Sequence, residues 1–175
     1  MKLLLHICCG PCSLYVIDAL RSRLPQWEIT GYFYNPNIHP YDELIRREAG
    51  AVKACDYKGI SLIRDTEYDL AAWKGFTKAP AERCVMCYRR RFEKTARFAA
   101  EKGYQYFTST LFVSPYQNYE AMGREARQAG ERYQIKFLED SDFREGFREG
   151  QSQARSLGLY RQKYCGCICS LERSR

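Results

Sequence analysis

Long apolar runs are missing from this sequence of 175 residues. No stretch approaches the roughly 20 consecutive apolar residues that a membrane-spanning helix needs. The apolar run after Met1 is very short and lacks the small-residue cleavage site of a secretory signal peptide. We therefore expect a cytoplasmic protein with no membrane partner. In that compartment cysteines stay reduced, and clustered cysteines are more often metal ligands or catalytic groups than disulfides.

Histidine is scarce, and the sequence contains no internal repeat, linker or low-complexity segment. His6 and His39 are the two histidines, so a zinc site with two cysteine and two histidine ligands does not fit. A chain of this length can bury a proper core without disulfides. We expect residues 1–175 to form a single domain.

Cysteine, in contrast, is abundant, and seven of the nine cysteines fall into three tight clusters. The clustered residues are Cys8, Cys9 and Cys12, then Cys84 and Cys87, then Cys165 and Cys167. Zinc takes four ligands, so seven thiolates brought together exceed what one zinc ion can use. They suit an iron–sulfur cluster with a second metal beside it. We expect no role at this site for Cys55 and Cys169.

Short apolar segments alternate with helical patterns, which favours an α/β fold with a parallel sheet flanked by helices. The predicted strands are residues 2–7, 27–34, 61–64, 104–112 and 135–138. The predicted helices are residues 14–23 with Ser13 as cap, 41–57, 70–76, 85–102 opened by Cys84, 118–130, and part of 143–160. Ligands of such sheets lie at the carboxyl ends of the strands. The first cysteine cluster follows strand one directly, so we expect a metal site at that edge.

Two glycines stand inside the cysteine motifs. Gly10, with Pro11, predicts a turn that folds Cys12 back toward Cys8 and Cys9. Gly166 separates two thiolates one residue apart, which can face one centre only with an unusual backbone conformation.

Positive charge is concentrated around the cysteines. The formal net charge is +7, and both residues 82–102 and residues 155–175 carry an excess of four basic residues. A basic surface around a metal site suggests a polyanionic substrate, most simply a nucleic acid.

Three other interpretations remain open at this stage. C-G-P-C at residues 9–12 also fits a thioredoxin-like dithiol. The second and third clusters could form a four-cysteine zinc site in a non-catalytic RNA-binding domain. A nucleotide-binding sulfurtransferase would need a glycine- and serine-rich loop after strand one, where this chain has C-C-G-P-C.

The motifs resemble those of the cobalamin-independent epoxyqueuosine reductases, the QueH family. The similar segments follow one another in order along almost the whole chain: L-H-I-C-C-G-P-C, Y-N-P-N-I-H-P with E-x-x-R-R, R-C-x-x-C-Y-x-x-R, F-T-S-T-L-x-x-S-P-Y-Q-N, D-F-R-E-G and L-Y-R-Q-x-Y-C-G-C. The resemblance implies a fold related to nucleotide-binding (HUP-like) α/β domains. It also implies reduction of the epoxide of epoxyqueuosine at the wobble position of the tRNA anticodon, with electrons from an unidentified donor.

The resemblance further implies a 4Fe-4S cluster with an adjacent mononuclear iron. All seven clustered cysteines are candidate metal ligands, and how they divide between the two groups stays open. Cys8, Cys9 and Cys12 are the candidate catalytic residues. The candidate cluster ligands are Cys8, Cys9, Cys84, Cys87, Cys165 and Cys167. Some relatives have Asp in place of Cys12.

The substrate nucleotide must leave the anticodon stack to reach such a site. Polar and basic residues beside the motifs are the candidates for binding it and the surrounding backbone. They are Tyr34, Asn35, His39, Arg83, Arg89, Arg161, Gln162 and Lys163.

Overall fold

The computed structural model describes residues 1–139 and 141–173. Its centre is a parallel sheet of five strands in the order β3-β2-β1-β4-β5. The strands are β1 (Lys2–His6), β2 (Glu28–Tyr34), β3 (Leu62–Asp65), β4 (Tyr106–Ser109) and β5 (Lys136–Phe137). This is the strand order of doubly wound nucleotide-binding folds. The predicted α/β class with a parallel sheet is therefore confirmed.

Seven α-helices surround the sheet in the described part of the chain. They are α1 (Gly10–Arg23), α2 (Tyr41–Lys58), α3 (Leu70–Lys74), α4 (Pro80–Glu101), α5 (Tyr119–Tyr133), α6 (Phe147–Ser156) and α7 (Ile168–Arg173). Helix α1 packs against α2 and α6, and α4 packs against α5. Because right-handed crossovers run in opposite directions from β1, these two groups cover opposite faces of the sheet. None of the described helices is long and apolar enough to cross a bilayer.

Both faces of β1 are covered, which explains its sequence. Leu3, Leu4 and Leu5 are fully buried, as a continuous apolar run in the middle of a parallel sheet should be. His6 pairs with Tyr32 of β2 and with Ser109 of β4. Strands β1 and β4 therefore end at one level and β2 runs two residues farther, to Tyr34. The residues that follow all three strands emerge at one edge.

Two helices begin earlier than the sequence predicts, each in a turn that contains proline. Helix α1 begins at Gly10 rather than after Ser13, whose hydroxyl instead donates to the carbonyl oxygen of Gly10 (2.7 Å). Helix α4 begins at Pro80 rather than at Cys84. Proline suits the first turn of a helix because its fixed φ is helical and the N–H that it lacks would have no partner there.

The fourth strand also ends earlier than predicted, at Ser109. A 3-10 helix, Thr110–Val113, takes its place. The Ser109 hydroxyl accepts from the Leu111 N–H (3.1 Å) and starts this turn. The turn brings Thr110 and Leu111 to the carboxyl edge of the sheet.

Candidate metal centre at the carboxyl edge of the sheet

The first cysteine cluster forms a compact group of three thiols. Cys8 follows β1, Cys9 is the N-cap of α1, and Cys12 lies in the first helical turn. Gly10 and Pro11 begin the helix instead of forming a separate turn, and the helix itself brings Cys12 back to the pair. The three Sγ atoms lie within 4.8 Å of one another, with Cys8 and Cys9 3.7 Å apart. Thiolates bound tetrahedrally at about 2.3 Å from one ion lie about 3.8 Å apart, so this group fits a single metal ion.

Hydrogen bonds already favour a thiolate in this group. Hydrogen bonds from Cys12 and then Cys9 hold the pKa of the Cys8 thiol well below its ordinary value. The Thr110 hydroxyl also donates to Cys8 Sγ (3.3 Å), and Gln162 Nε2 donates to Cys9 Sγ (2.9 Å). Donation to Cys8 and Cys9, together with burial, raises the pKa of Cys12. Cys8 is therefore the first of the three to lose its proton, and the thiolate is the form that binds metal.

The second and third clusters meet around one cavity of about 40 Å³. Cys84 and Cys87 lie on successive turns of α4, and Cys165 and Cys167 come from the segment before α7. Cys87 is buried, whereas Cys84 and Cys165 are exposed, so the cavity opens to solvent on that side. The other lining residues are Asn37, Trp73, Arg83, Tyr88, Arg91, Leu111 and Gln117.

The two thiol groups differ in spacing. Across the described residues, Cys8, Cys9 and Cys12 form the single set of three or more possible metal ligands whose donor atoms all lie within 4.8 Å. No three of the four Sγ atoms around the cavity therefore lie within 4.8 Å of one another, whereas the ligands of a preformed zinc site would. A donor set made only of thiols is the kind that holds iron–sulfur clusters.

Helix α2 holds the segment that carries Cys165 and Cys167. Arg47 donates to the main-chain carbonyl oxygens of Tyr164 (2.9 Å) and Cys165 (3.1 Å). Its Nε bonds Glu43 Oε1 (2.7 Å), and both side chains are buried. Glu43 Oε2 in turn accepts from the Tyr160 hydroxyl (2.7 Å). This buried ion pair fixes the third cysteine cluster against the sheet edge.

Gly166 has the unusual backbone that the sequence predicts. Its φ is +104°, a conformation that residues with a side chain rarely adopt. Its carbonyl oxygen accepts from the His39 N–H (2.8 Å). A Cβ at this position would lie 2.9 Å from Ile38 Cγ1 and 3.1 Å from Arg47 Nη1. Glycine is therefore required both by φ and by the space available.

Arg91 is a site residue that the sequence analysis missed. It lies on the same face of α4 as Cys84, Cys87 and Tyr88, is buried, and donates to the Cys87 carbonyl oxygen (3.2 Å). Burial raises the pKa of the Cys87 thiol to about 12, and the Arg91 charge opposes that rise. The spacing i, i+3, i+4, i+7 from Cys84 was the signal that could have identified it.

The structure brings only some of the predicted substrate residues to the cavity. Arg83 lines it, and Gln162 reaches Cys9. His39 is fully buried nearby, with its ring against Trp73 (centroids 5.6 Å apart). Asn35 is buried and donates to the Ile7 carbonyl oxygen (2.9 Å).

The remaining four predicted substrate residues lie elsewhere or on the surface. The Tyr34 hydroxyl donates to Glu67 (3.3 Å), and Arg89 forms an ion pair with Glu125 of α5 (2.8 Å). Arg161 and Lys163 are exposed on either side of Gln162. The roles of all four residues in substrate binding stay predictions. Arg89 already has an intramolecular partner, Glu125.

Fold and site together define a class, a parallel α/β domain with a thiol-rich metal site at the carboxyl edge of its sheet. The family model described as "Epoxyqueuosine reductase QueH" matches residues 3–173. The chain therefore belongs to the epoxyqueuosine reductase QueH family, whose members are oxidoreductases.

Curated relatives agree with this assignment. The protein named Epoxyqueuosine reductase QueH of Histophilus somni is 38% identical over 181 residues, which cover 97% of this chain and 72% of that protein. The protein of the same name from Dehalococcoides mccartyi is 34% identical over 170 residues, which cover 97% of this chain and 92% of that protein.

Solved structures agree on the fold. A deacetylase of the teicoplanin biosynthesis pathway, in complex with teicoplanin, is similar with a TM-score of 0.55 over 91% of this chain and 88% of that one. The two sequences are 9% identical, so the likeness shows the fold alone.

Proposed function

We propose that this protein, as a single catalytic domain over residues 1–175, reduces the epoxide of epoxyqueuosine in tRNA to the alkene of queuosine. We further propose that it does so with a 4Fe-4S cluster and an adjacent mononuclear iron. The family supports the reaction. The observation that carries the cofactor proposal is the presence of two separate thiol groups at one sheet edge, one of three cysteines and one of four.

The spacing of the thiols supports a division of labour between the two groups. Cys8, Cys9 and Cys12 are close enough to share one ion, so we assign them to the mononuclear iron. Cys84, Cys87, Cys165 and Cys167 line one cavity, and no three of their Sγ atoms lie within 4.8 Å of one another. Four thiolates are what a 4Fe-4S cluster needs. Arg91 adds a buried positive charge beside the four-cysteine group, which offsets part of the negative charge of four thiolates.

The reaction requires two electrons and two protons. Two C–O bonds of the epoxide break, a C=C bond forms, and the oxygen leaves as water. The metal groups supply one-electron transfer and a Lewis acid for the epoxide oxygen. An external one-electron donor must restore both electrons. The chain itself binds the nucleotide, holds it at the exposed side of the cavity near Cys84 and Cys165, and limits the access of water.

A basic rim supports tRNA as the substrate. Arg83 lines the cavity, and Arg161 and Lys163 are exposed on the segment that crosses it. Phosphate contacts from such side chains bind a polynucleotide without regard to sequence. The nucleotide that reacts would be turned out of the anticodon stack toward the cysteines.

Metal and sulfide analysis of anaerobically purified protein tests this proposal. We expect four acid-labile sulfides and five irons per chain, and conversion of epoxyqueuosine to queuosine within the tRNA when a reductant is supplied. Cys84→Ser should lose sulfide and iron together. Cys12→Ser should keep the sulfide, lose about one iron and lose turnover.

Cys55→Ser is the matched control because Cys55 is buried in α2 and takes no part in either thiol group. It should keep metal, sulfide and turnover. One zinc per chain with no sulfide would contradict the proposal and favour the zinc-stabilised RNA-binding domain. A Cys12→Ser variant that loses sulfide as readily as Cys84→Ser would contradict the assignment of the two groups.

A further inference from the structure

Buried polar atoms without a hydrogen-bond partner are concentrated beside the metal centre. Within the described residues these side-chain atoms are Asn35 Oδ1, Asn37 Oδ1, His39 Nδ1, His39 Nε2, Trp73 Nε1 and Gln162 Oε1. Most buried polar groups in proteins are paired, because an unpaired one costs free energy. A group of unpaired atoms in one region therefore indicates a bound partner that does not belong to the chain itself.

Three of these side chains form a group that we call the wall: two of them line the cavity, and the third packs against Trp73. Asn37 and Trp73 line the cavity that is also lined by the four cysteines. The His39 ring packs edge-on against Trp73, with the ring centroids 5.6 Å apart. Asn37, His39 and Trp73 are at most 2% exposed. They come from the segment after β2 and from α3, so the wall unites two distant parts of the chain.

The unpaired atoms of the wall include both hydrogen-bond donors and hydrogen-bond acceptors. Asn37 Oδ1 accepts hydrogen bonds, and the Trp73 indole N–H donates. Burial lowers the pKa of His39 to about 4, with opposing contributions from Asp69, which raises it, and Lys74, which lowers it. A neutral imidazole offers one donor and one acceptor. The wall therefore presents two donors and two acceptors.

This pattern selects one kind of ligand group. A phosphate or carboxylate would only accept hydrogen bonds and would leave Asn37 Oδ1 unpaired. A metal ion would find no ligand in the indole N–H. Hydroxyl groups both donate and accept, so a ring that carries neighbouring hydroxyls matches the wall.

From this juxtaposition we infer that Asn37, His39 and Trp73 form a subsite for the hydroxylated five-membered ring of the substrate. The ring of epoxyqueuosine carries two neighbouring hydroxyls beside the epoxide. Hydrogen bonds from the wall to those hydroxyls would direct the epoxide toward the cysteine-lined part of the cavity. The inference rests on the proposed function and adds the residues that recognise the reacting ring.

Binding of two anticodon stem-loops tests the subsite. One carries epoxyqueuosine at the wobble position, and the other carries guanosine there and so lacks the hydroxylated ring. The variants are Trp73→Phe, which removes the indole N–H and keeps an aromatic ring, and Asn37→Leu, which removes the amide at nearly constant shape. Each should weaken binding of the epoxyqueuosine stem-loop about tenfold or more, since good hydrogen bonds contribute about that much. Neither should change binding of the guanosine stem-loop.

Trp27→Phe is the matched control, since Trp27 packs on Tyr106 at the opposite end of the sheet. It should change binding of neither stem-loop. Iron and sulfide content, measured for every variant, verifies that the metal site is intact.

The outcomes separate this inference from the proposed function. Variants that keep full discrimination between the two stem-loops, or that weaken both equally, would overturn the subsite. Absence of discrimination in the unchanged protein would do the same. The proposed function is tested independently, because turnover of epoxyqueuosine by the unchanged protein does not depend on these variants.

Discussion

Arg47 Nη1 donates to the main-chain carbonyl oxygen of Cys165 at 3.1 Å. The two residues are separated by 118 positions in the chain, so a helix from the first third of the sequence positions the last pair of cysteines. The same guanidinium forms its ion pair with Glu43 away from solvent. The position of Cys165 therefore depends on a buried charge that bonds the main chain and not the thiols.

Replacement of Arg47 by Met should destabilise the protein and release the metal. It leaves Glu43 buried without its partner, and removing one member of a buried pair costs about 3–5 kcal/mol. We expect a lower denaturant midpoint and substoichiometric sulfide. Lys2→Met is the control because it breaks an exposed pair with Glu28 (3.7 Å), which contributes at most about 1 kcal/mol. Equal effects of the two replacements would contradict the anchoring role of Arg47.

Gly166→Ala should lower the free energy of unfolding by more than the strain of a positive φ alone. Both Gly166 and Gly158 have positive φ, but a Cβ at Gly158 meets no atom within 4 Å. Gly158→Ala, at φ +61°, therefore measures the cost of αL backbone, about 1–2 kcal/mol. Gly166, at φ +104°, lies beyond the αL range, so its backbone cost is at least as large. Gly166→Ala adds the contacts with Ile38 and Arg47. The free energy of unfolding and the sulfide content of both variants provide the comparison. If Gly166→Ala keeps its full sulfide content and is as stable as Gly158→Ala, the contacts with Ile38 and Arg47 are relieved without cost, which would contradict the prediction.

Binding of tRNA should weaken steeply with salt. Each phosphate contact adds about 0.7–0.9 to the slope of log K against log salt concentration, depending on whether the nucleic acid is single- or double-stranded. Replacement of Arg161 or Lys163 by Gln should reduce that slope by about one unit or less. Lys136→Gln serves as control, since Lys136 begins β5 at the opposite edge of the sheet. If the slope is unchanged by replacement of Arg161 and Lys163, these two side chains do not contact the tRNA phosphates.

Acid should destabilise the protein in part through His39. Its pKa is about 4 in the fold against about 6.5 when unfolded, so the unfolded state binds the proton first and stability falls as the pH drops below 6.5. At pH 5.5, one unit below the unfolded value, the loss from this group is about 1.4 kcal/mol relative to pH 8. The His39→Phe variant should lose about 1.4 kcal/mol less free energy of unfolding between pH 8 and pH 5.5 than the unchanged protein. Denaturant titrations at the two pH values measure this difference. His6, which shifts in the same direction, is unchanged in both proteins.

The part of the fold that follows from local patterns could be predicted from the sequence. The alternation of apolar strands and amphipathic helices predicted a parallel sheet, and C-C-G-P-C directly after β1 predicted a site at its carboxyl edge. The starts of α1 and α4 could not be placed, because the signals of Pro11 and Pro80 compete with the patterns of the following residues. Arg91 lay within the predicted helix, and its burial beside Cys87 became evident only from the tertiary structure.

Of the three subsite residues, the sequence predicted His39 as a candidate for substrate binding, whereas Asn37 and Trp73 could not be identified. Asn37 lies within a predicted loop motif, and Trp73 within a short helix whose apolar residues would pack in any fold. Nothing local distinguishes an indole that packs from one whose N–H lacks a partner. Two tertiary features identify these side chains as a candidate subsite. One is the contact between His39 and Trp73, and the other is the cavity that both Asn37 and Trp73 line.

The dispersion of the cysteines along the chain has a consequence for biogenesis. The three clusters occupy positions 8–12, 84–87 and 165–167, and the last is held in place by a side chain from α2. During synthesis the first two clusters leave the ribosome well before the third. The four-cysteine cavity is therefore incomplete throughout translation of the sheet and its helices. If it holds the proposed 4Fe-4S cluster, iron and sulfide can be delivered only after the segment that carries Cys167 has emerged and docked.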